Sequence, residues 1–229
     1  MEKMNARRVM ADAVLLPNGC VILLNGAQNG VAGDSATGGS SKAHFPQFWA
    51  VLYDPYAPPG NRFTRLARSQ IARMYHSTAA LTPDGTVLVA GCDRCDYFNV
   101  SVPYSKSPWG LPEYRVEVFY PPFYFWDARP TLLFAPEVLA YGASAELAYD
   151  SVTAKADIDG VVLMAPSSTT HSTNFNQRAV GLRILSDDNS GTLVVQGPPN
   201  RNIAPPGWYM LFLLSGQAYS GSMWVQLLL

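Results

Sequence analysis

Residues 7–24, RRVMADAVLLPNGCVILL, and residues 73–90, RMYHSTAALTPDGTVLVA, are two copies of one pattern. Ala13, Leu15, Pro17, Gly19 and Val21 of the first copy meet Ala79, Leu81, Pro83, Gly85 and Val87 of the second. Each copy reads as an apolar strand, a Pro-Asn-Gly or Pro-Asp-Gly turn, and a second apolar strand over 21–25 or 87–91. An Asn-Gly or Asp-Gly pair between apolar runs is the strongest short hairpin signal, because glycine takes a positive φ without a Cβ clash. Third strands are predicted over 48–53 and 116–120, ending at Asp54-Pro55 and Pro121-Pro122, and residues 62–66 supply a fourth in the first copy. Four-stranded repeats of this kind are the mark of propeller blades, the first lengthened here by the Gly/Ser-rich insertion 30–41. Two blades leave open strand edges and cannot close a ring. The remaining blades are expected from sequence upstream of Met1 or from a partner chain, the former being the simpler account.

From Arg129-Pro130 the pattern changes. Short strands recur around 131–134, 145–149, 160–165, 179–185, 191–196, 207–213 and 222–228. About seven short strands in roughly a hundred residues is what an immunoglobulin-like sandwich requires. The Cys pair of antibody domains is absent. The fold class read here is all-β: a partial propeller of about two blades over 1–125, then an immunoglobulin-like β-sandwich over 129–229. No helix of useful length is predicted.

Composition agrees and excludes other classes. The chain has 229 residues, 48% hydrophobic and 14% charged, enough to bury a sizeable core. Sixteen basic against 17 acidic residues leave a net charge of −1, which carries neither a nucleic-acid footprint nor a polybasic membrane patch. Twelve Tyr, ten Phe and five Trp are far too many aromatics for a disordered chain. Three Cys are too few for a disulfide framework or a four-thiolate zinc site. The opening MEKMNARR is basic, but Asp12, Pro17 and Asn18 interrupt the apolar stretch after it, so no signal peptide is read in this chain. No run reaches the length of a transmembrane helix.

Few residues stand out chemically. Tyr75-His76 opens the inner strand of the second repeat. Neighbours on a strand point to opposite faces, so both reach one ligand only at a strand end or bend. By themselves they read as a Tyr packed between blades and a His exposed at the rim. His171 lies within the hydroxyl-rich stretch Ala165-Pro-Ser-Ser-Thr-Thr-His-Ser-Thr-Asn-Phe-Asn-Gln-Arg. That stretch suits an exposed loop bonded to itself, yet it is more polar than a connection needs. Imidazoles from two domains together with a phenolate would suit Cu(II). Cys92-x-x-Cys95 admits a redox pair, half a zinc site or a local disulfide. No βαβ context or second ligand pair supports the first two, and a disulfide in an exposed turn, the preferred reading, implies an oxidising compartment. Cys20, on an apolar strand, is expected to be a buried free thiol. Asn99-Val-Ser101 is a glycosylation sequon. His44 reads as a surface residue, and Trp208-Tyr209 as part of a core strand.

Three motifs in this order resemble the C-terminal part of copper radical oxidases, the glyoxal oxidase and galactose oxidase relatives. They are Arg73-Met-Tyr-His-Ser-Thr with Pro83-Asp-Gly, Ala165-Pro-Ser-Ser-Thr-Thr-His-Ser with Asn176-Gln-Arg, and Ile203-Ala-Pro-Pro-Gly-Trp-Tyr-Met-Leu-Phe. The resemblance covers nearly the whole chain. It implies the last blades of a seven-bladed kelch propeller followed by an early-set immunoglobulin-like domain, with a loop of that domain reaching into the propeller axis. It assigns Tyr75, His76 and His171 as copper ligands, with Tyr75 also the group that accepts the substrate proton. The implied reaction is oxidation of a small aldehyde or primary alcohol, with O2 reduced to H2O2, in a secreted protein.

The chain departs from the family in two places. The radical cofactor is a Tyr linked to a Cys of earlier blades, and nothing here matches either, so it is expected only in a longer parent. Ala32-Gly33 stands where galactose oxidase carries Pro-Phe in its substrate loop, which favours the glyoxal oxidase branch, whereas Cys92/Cys95 resembles a disulfide of galactose oxidase. Two other readings compete: a non-catalytic extracellular module for wall or matrix contact, and a carbohydrate-binding sandwich with cell-wall polysaccharide as partner. Retention of all three matchable ligands favours the oxidase.

Overall fold

A computed structural model describes residues 2–4, 6–34, 41–92, 113–126, 129–151 and 157–228, without the side chains of 32–34, 41, 42 and 44. Each repeat folds as an antiparallel meander. β1 (Asp12–Leu15) and β2 (Val21–Leu24) pair across the Asn18-Gly19 turn, where Gly19 takes φ +82°. β3 (Ala27–Asp34) and β4 (Ser41–Pro46) form a side hairpin. β5 (Trp49–Tyr53) and β6 (Phe63–Arg68) then complete a sheet in the order β1-β2-β5-β6. The second repeat gives β7 (Thr78–Leu81), β8 (Val87–Ala90) and β9 (Glu117–Phe119), paired in that order. The Gly/Ser-rich insertion 30–41 supplies strand residues on either side of 35–40. Its two limbs run side by side and satisfy their backbone groups by pairing with each other.

The second part is built from β10 (Leu132–Phe134), β11 (Val138–Leu139), β12 (Ser144–Tyr149), β13 (Gly160–Met164), β14 (Ser168–Thr170), β15 (Thr173–Phe175), β16 (Ala179–Asp187), β17 (Thr192–Gln196), β18 (Gly207–Ser215), β19 (Ala218–Tyr219) and β20 (Met223–Leu227). All seven expected strands are among them, and β11, β14, β15 and β19 are additional. β16 curls the sheet. Its first half pairs with β13 and its second half with β17, with a register shift between Ile184 and Ser186. Such irregularities bend a strand and increase its twist. The concave side closes on Leu147, Leu163, Leu193, Val195, Leu211 and Leu213.

Alternation along the same strands builds a second, outward apolar face. Val162, Met164, Met210 and Phe212 pack on Val14, Leu16, Ile22, Ala79 and Val87 of the two repeats. Trp208, read as core, sits two residues before Met210 on that outward face and is 44% exposed, while Tyr209 points inward and is buried. Trp208 shares a face with Met210 and Phe212, but at the start of β18 it lies outside the cluster that buries those two against the repeats.

The repeated turns do more than reverse the chain. Asn18 Nδ2 donates to the Gln217 carbonyl at 2.8 Å, Tyr219 Oη to the Gly85 carbonyl at 3.1 Å, and the Ser222 amide to the Pro83 carbonyl at 2.7 Å. Arg129 ties the Tyr219 carbonyl (2.9 Å) to that of Asp84. A Cβ on Gly85 would stand 2.7 Å from the Tyr219 ring, so glycine is required there for space as well as for its φ of +86°. Both turns therefore clasp the segment around β19, and the opposite ends of β1 and β7 point away from it.

Candidate metal centre

Each inner strand begins at a tight corner. Met10 and His76 occupy equivalent repeat positions and both take a positive φ, 56° and 63°. Such a conformation costs an L-residue about 1–2 kcal/mol and persists only where the surroundings enforce it. The first corner carries Val9-Met10, with neither imidazole nor phenol; the second carries Tyr75-His76. Gly91 backs the second corner, where a Cβ would lie 2.9 Å from the His76 carbonyl oxygen. Buried Arg73 anchors it from below, donating to Glu117 Oε2 at 2.8 Å and to the Gly91 and Arg115 carbonyls at 2.7 Å each. The Met74 carbonyl accepts from the Ser77 amide (3.2 Å) and hydroxyl (2.8 Å), closing the turn.

His171 arrives from the other part of the chain. The polar stretch around it, read as a loop, is a hairpin: Thr170 pairs with Thr173, leaving His171 and Ser172 as a two-residue turn with φ 53° and 62°. Positive φ at both central positions is what a type I′ turn demands, normally of Asn-Gly. A histidine at such a position is a strained placement of the kind found at functional sites.

The hairpin wedges between the two inner strands, β14 against β7 and β15 against β1. Thr169 Oγ1 donates to the Ala79 carbonyl at 3.3 Å. Gln177 accepts from the Leu15 amide at 2.7 Å and donates to the Ala13 carbonyl at 2.9 Å, so one side-chain amide pairs with β1 as a strand residue would. The four residues of β7 span about 13 Å at ~3.3 Å per residue. The hairpin follows that strand, which carries His171 to the Tyr75-His76 corner.

There the three sequence-assigned residues meet. His76 Nε2 and His171 Nε2 are 3.1 Å apart, their rings edge-on at 4.7 Å. The Tyr75 ring stacks on His76 at 3.9 Å and lies 5.6 Å from His171. Thr170 Oγ1 is 2.6 Å from His171 Nδ1. With the ring proton on Nδ1, donated to that hydroxyl, Nε2 presents its lone pair to the shared space. Two nitrogens each about 2.0 Å from one ion and at a right angle would stand about 2.8 Å apart, close to the separation found. Two imidazoles and a phenol are a donor set suited to Cu(II), and the residues fit that ion. Among the described residues no three His, Cys, Asp or Glu side chains cluster; the Tyr75 ring, which carries a phenol, lies against both imidazoles. Tyr75 and His76 are half-buried and His171 is exposed.

The remaining sequence candidates divide. Cys92 is disulfide-bonded, and its Sγ accepts from the Met74 amide at 3.3 Å, directly beneath the corner. Cys95 and Asn99 lie outside the described residues, as does the side chain of His44. Cys20 is a free, buried thiol whose pKa is pushed up to about 12, chiefly by burial and then by Asp54. Residues that sequence reasoning passed over are Thr170 and Gln177, quoted within a motif but given no role, and Asp12. A carboxylate at a position that alternation buries was a signal available for Asp12.

A family model described as "Glyoxal oxidase N-terminus" matches residues 1–123, and one described as "Galactose oxidase-like, Early set domain" matches residues 129–227. An aldehyde oxidase of Arabidopsis thaliana is 36% identical over 239 residues, covering 99% of this chain and 37% of its own length. An aldehyde oxidase of Vitis pseudoreticulata is 35% identical over 235 residues, covering 99% of this chain and 42% of its own. A fungal alcohol oxidase of the AA5 family, solved in complex with copper, superposes with a TM-score of 0.76 at 22% identity, covering 100% of this chain and 44% of that one. That likeness is one of fold. The chain thus spans about two fifths of the length of these relatives.

Proposed function

The chain belongs to the glyoxal oxidase and galactose oxidase family, and from that premise we propose that it is the C-terminal portion of a secreted copper radical oxidase acting on a small aldehyde or primary alcohol. The observation that carries the proposal is the 3.1 Å approach of His76 Nε2 and His171 Nε2, from residues 95 positions apart. The two repeats would be the last blades of a seven-bladed kelch propeller, and the blades before them its first partner. The disulfide at Cys92 is consistent with an oxidising compartment. Among the described residues no helix is long and apolar enough to cross a membrane.

In this reading His76 and His171 hold Cu(II) through Nε2, and Tyr75 is the third protein ligand. When bound beside an organic radical, copper supplies the one-electron partner needed to oxidise the substrate by two electrons while O2 becomes H2O2. Tyr75, held as the phenolate, would take the hydroxyl proton of the alcohol, or of the hydrated aldehyde, and become the phenol. Thr170 holds His171 in the tautomer that leaves Nε2 free, as partners of metal-bound histidines do. Arg73 and Gly91 keep the Tyr75-His76 corner in place. The Cys–Tyr pair that would carry the radical has no counterpart in these residues, so the chain by itself is expected to bind Cu(II) but not to turn over.

The test has two arms. Cu(II) titrated into residues 1–229 should give one site with an electron paramagnetic resonance (EPR) spectrum typical of nitrogen ligation, abolished by His171→Ala. A wild-type chain that takes up no Cu(II) overturns the ligand assignment. A protein carrying the upstream blades should release H2O2 from small aldehydes or primary alcohols, and turnover by residues 1–229 alone would overturn the assignment of the radical to upstream residues.

A further inference from the structure

The corner that carries Tyr75 and His76 is tied to the neighbouring sheet through a buried carboxyl. Asp12 is 2% exposed, at the start of β1. Its Oδ2 accepts from Asn25 Nδ2 at 2.6 Å and lies 3.2 Å from the Ser77 hydroxyl. Its Oδ1 is buried with no hydrogen-bond partner. A buried polar atom left unpaired is uncommon and requires a reason.

The two partners bracket the ligand-bearing segment. Asn25, with φ 56°, turns the chain into Gly26, whose amide donates to the Arg73 carbonyl at 2.8 Å. Ser77 directly follows His76, and its hydroxyl also donates to the Met74 carbonyl at 2.8 Å. Residues 73 to 77 are thus gripped at one end through Asn25 and at the other through Ser77, both from Asp12. Ser77 has one hydroxyl proton and two neighbours. That proton lies between two acceptors, the Met74 carbonyl and Asp12 Oδ2, so Ser77 links the carboxyl to the turn. Burial favours the protonated carboxyl, pushing the Asp12 pKa up to about 6 against the hydrogen bonds from Asn25 and Ser77.

The second repeat places Thr78 in the position of Asp12, and the first places Ala11 in that of Ser77, so the bridge does not follow from the repeat. Among the described residues it occurs once, and it joins the first repeat's sheet to the corner that carries Tyr75 and His76.

We propose that Asp12 is a positioning residue for the metal centre, its buried carboxyl holding Ser77 and Asn25 so that the strained corner presents His76 Nε2 to His171. This rests on copper ligation by Tyr75, His76 and His171. Residues that support metal ligands from behind typically change affinity by about 10–100-fold when removed.

The experiment is Cu(II) binding to residues 1–229, followed by competition with a chelator and by EPR. Ser77→Ala and Asp12→Ala are expected to weaken Cu(II) binding about tenfold or more, with a changed spectrum in the folded fraction. Asp12→Asn, which keeps an oxygen for both partners, is expected to restore affinity to within about twofold and the wild-type spectrum. Folded Ser77→Ala with wild-type affinity and an unchanged spectrum overturns the proposal, whether or not Asp12→Ala folds. So does an Asp12→Asn protein as impaired as Asp12→Ala. Failure of the wild-type chain to bind Cu(II) refutes the ligand assignment instead, which keeps the two failures apart.

Discussion

Asp12 makes the stability of this protein depend on pH in a direction opposite to that of most carboxylates. Its pKa is about 6 in the folded chain against an ordinary 3.8, because burial disfavours the ionised form more than its two hydrogen bonds support it. The folded state therefore holds a proton that the unfolded chain releases once the pH passes 3.8. The stabilisation is complete below 3.8, declines as the pH rises toward about 6, and is gone above that. At ~1.4 kcal/mol per pH unit, the full loss is about 3 kcal/mol. Asp12→Asn cannot ionise. Its amide adds an offset of its own, but that offset is independent of pH. Urea unfolding of both proteins from pH 4 to pH 8 should show the wild type losing about 2–3 kcal/mol relative to Asp12→Asn by pH 7, with the curves parallel thereafter. A difference that stays flat from pH 4 to pH 7 would mean that Asp12 titrates in the folded chain as it does in the unfolded one, and would refute the raised pKa.

Three further outcomes follow from the geometry of the site. Gly91→Ala combines a φ of +75° with a Cβ 2.9 Å from the His76 carbonyl; it should lower stability by about 1–3 kcal/mol in thermal melts and weaken Cu(II) binding as His76 shifts. Gln177→Ala leaves the Leu15 amide and Ala13 carbonyl without their partner; it should cost about 1–3 kcal/mol, and amide exchange at Leu15 should quicken, whereas unchanged protection there would show that the hairpin is held by other contacts. Thr170→Val removes the acceptor at His171 Nδ1; Cu(II) affinity should fall about 10–100-fold with no comparable change in melting temperature, and equal affinity would free His171 of its proposed tautomer control.

The sequence by itself determined the repeat, its hairpins and the all-β class. Positive φ at an Asn-Gly or Asp-Gly pair and alternation along a strand are local properties, written within a few residues of where they act. It also pointed to Tyr75, His76 and His171, but through resemblance, since a spacing of 95 residues between two histidines has no physical content of its own. What only the tertiary structure decided lies where strands from different sheets meet. The stretch around His171 is polar in every residue that would mark a loop, and it becomes a hairpin because β1 and β7 offer backbone groups on both sides for Thr169 and Gln177 to satisfy. Trp208 and Tyr209 look alike in sequence, yet Tyr209 is buried in the sandwich core while Trp208, on the other face, lies outside the cluster that covers Met210 and Phe212. Asp12 showed only as a charge in an apolar strand; its partners come from β2's end and from the corner after His76. Chain-local rules set the conformation of each segment, while the distance between two side chains far apart in sequence is set by how the sheets pack. The 3.1 Å between the imidazoles belongs to that packing.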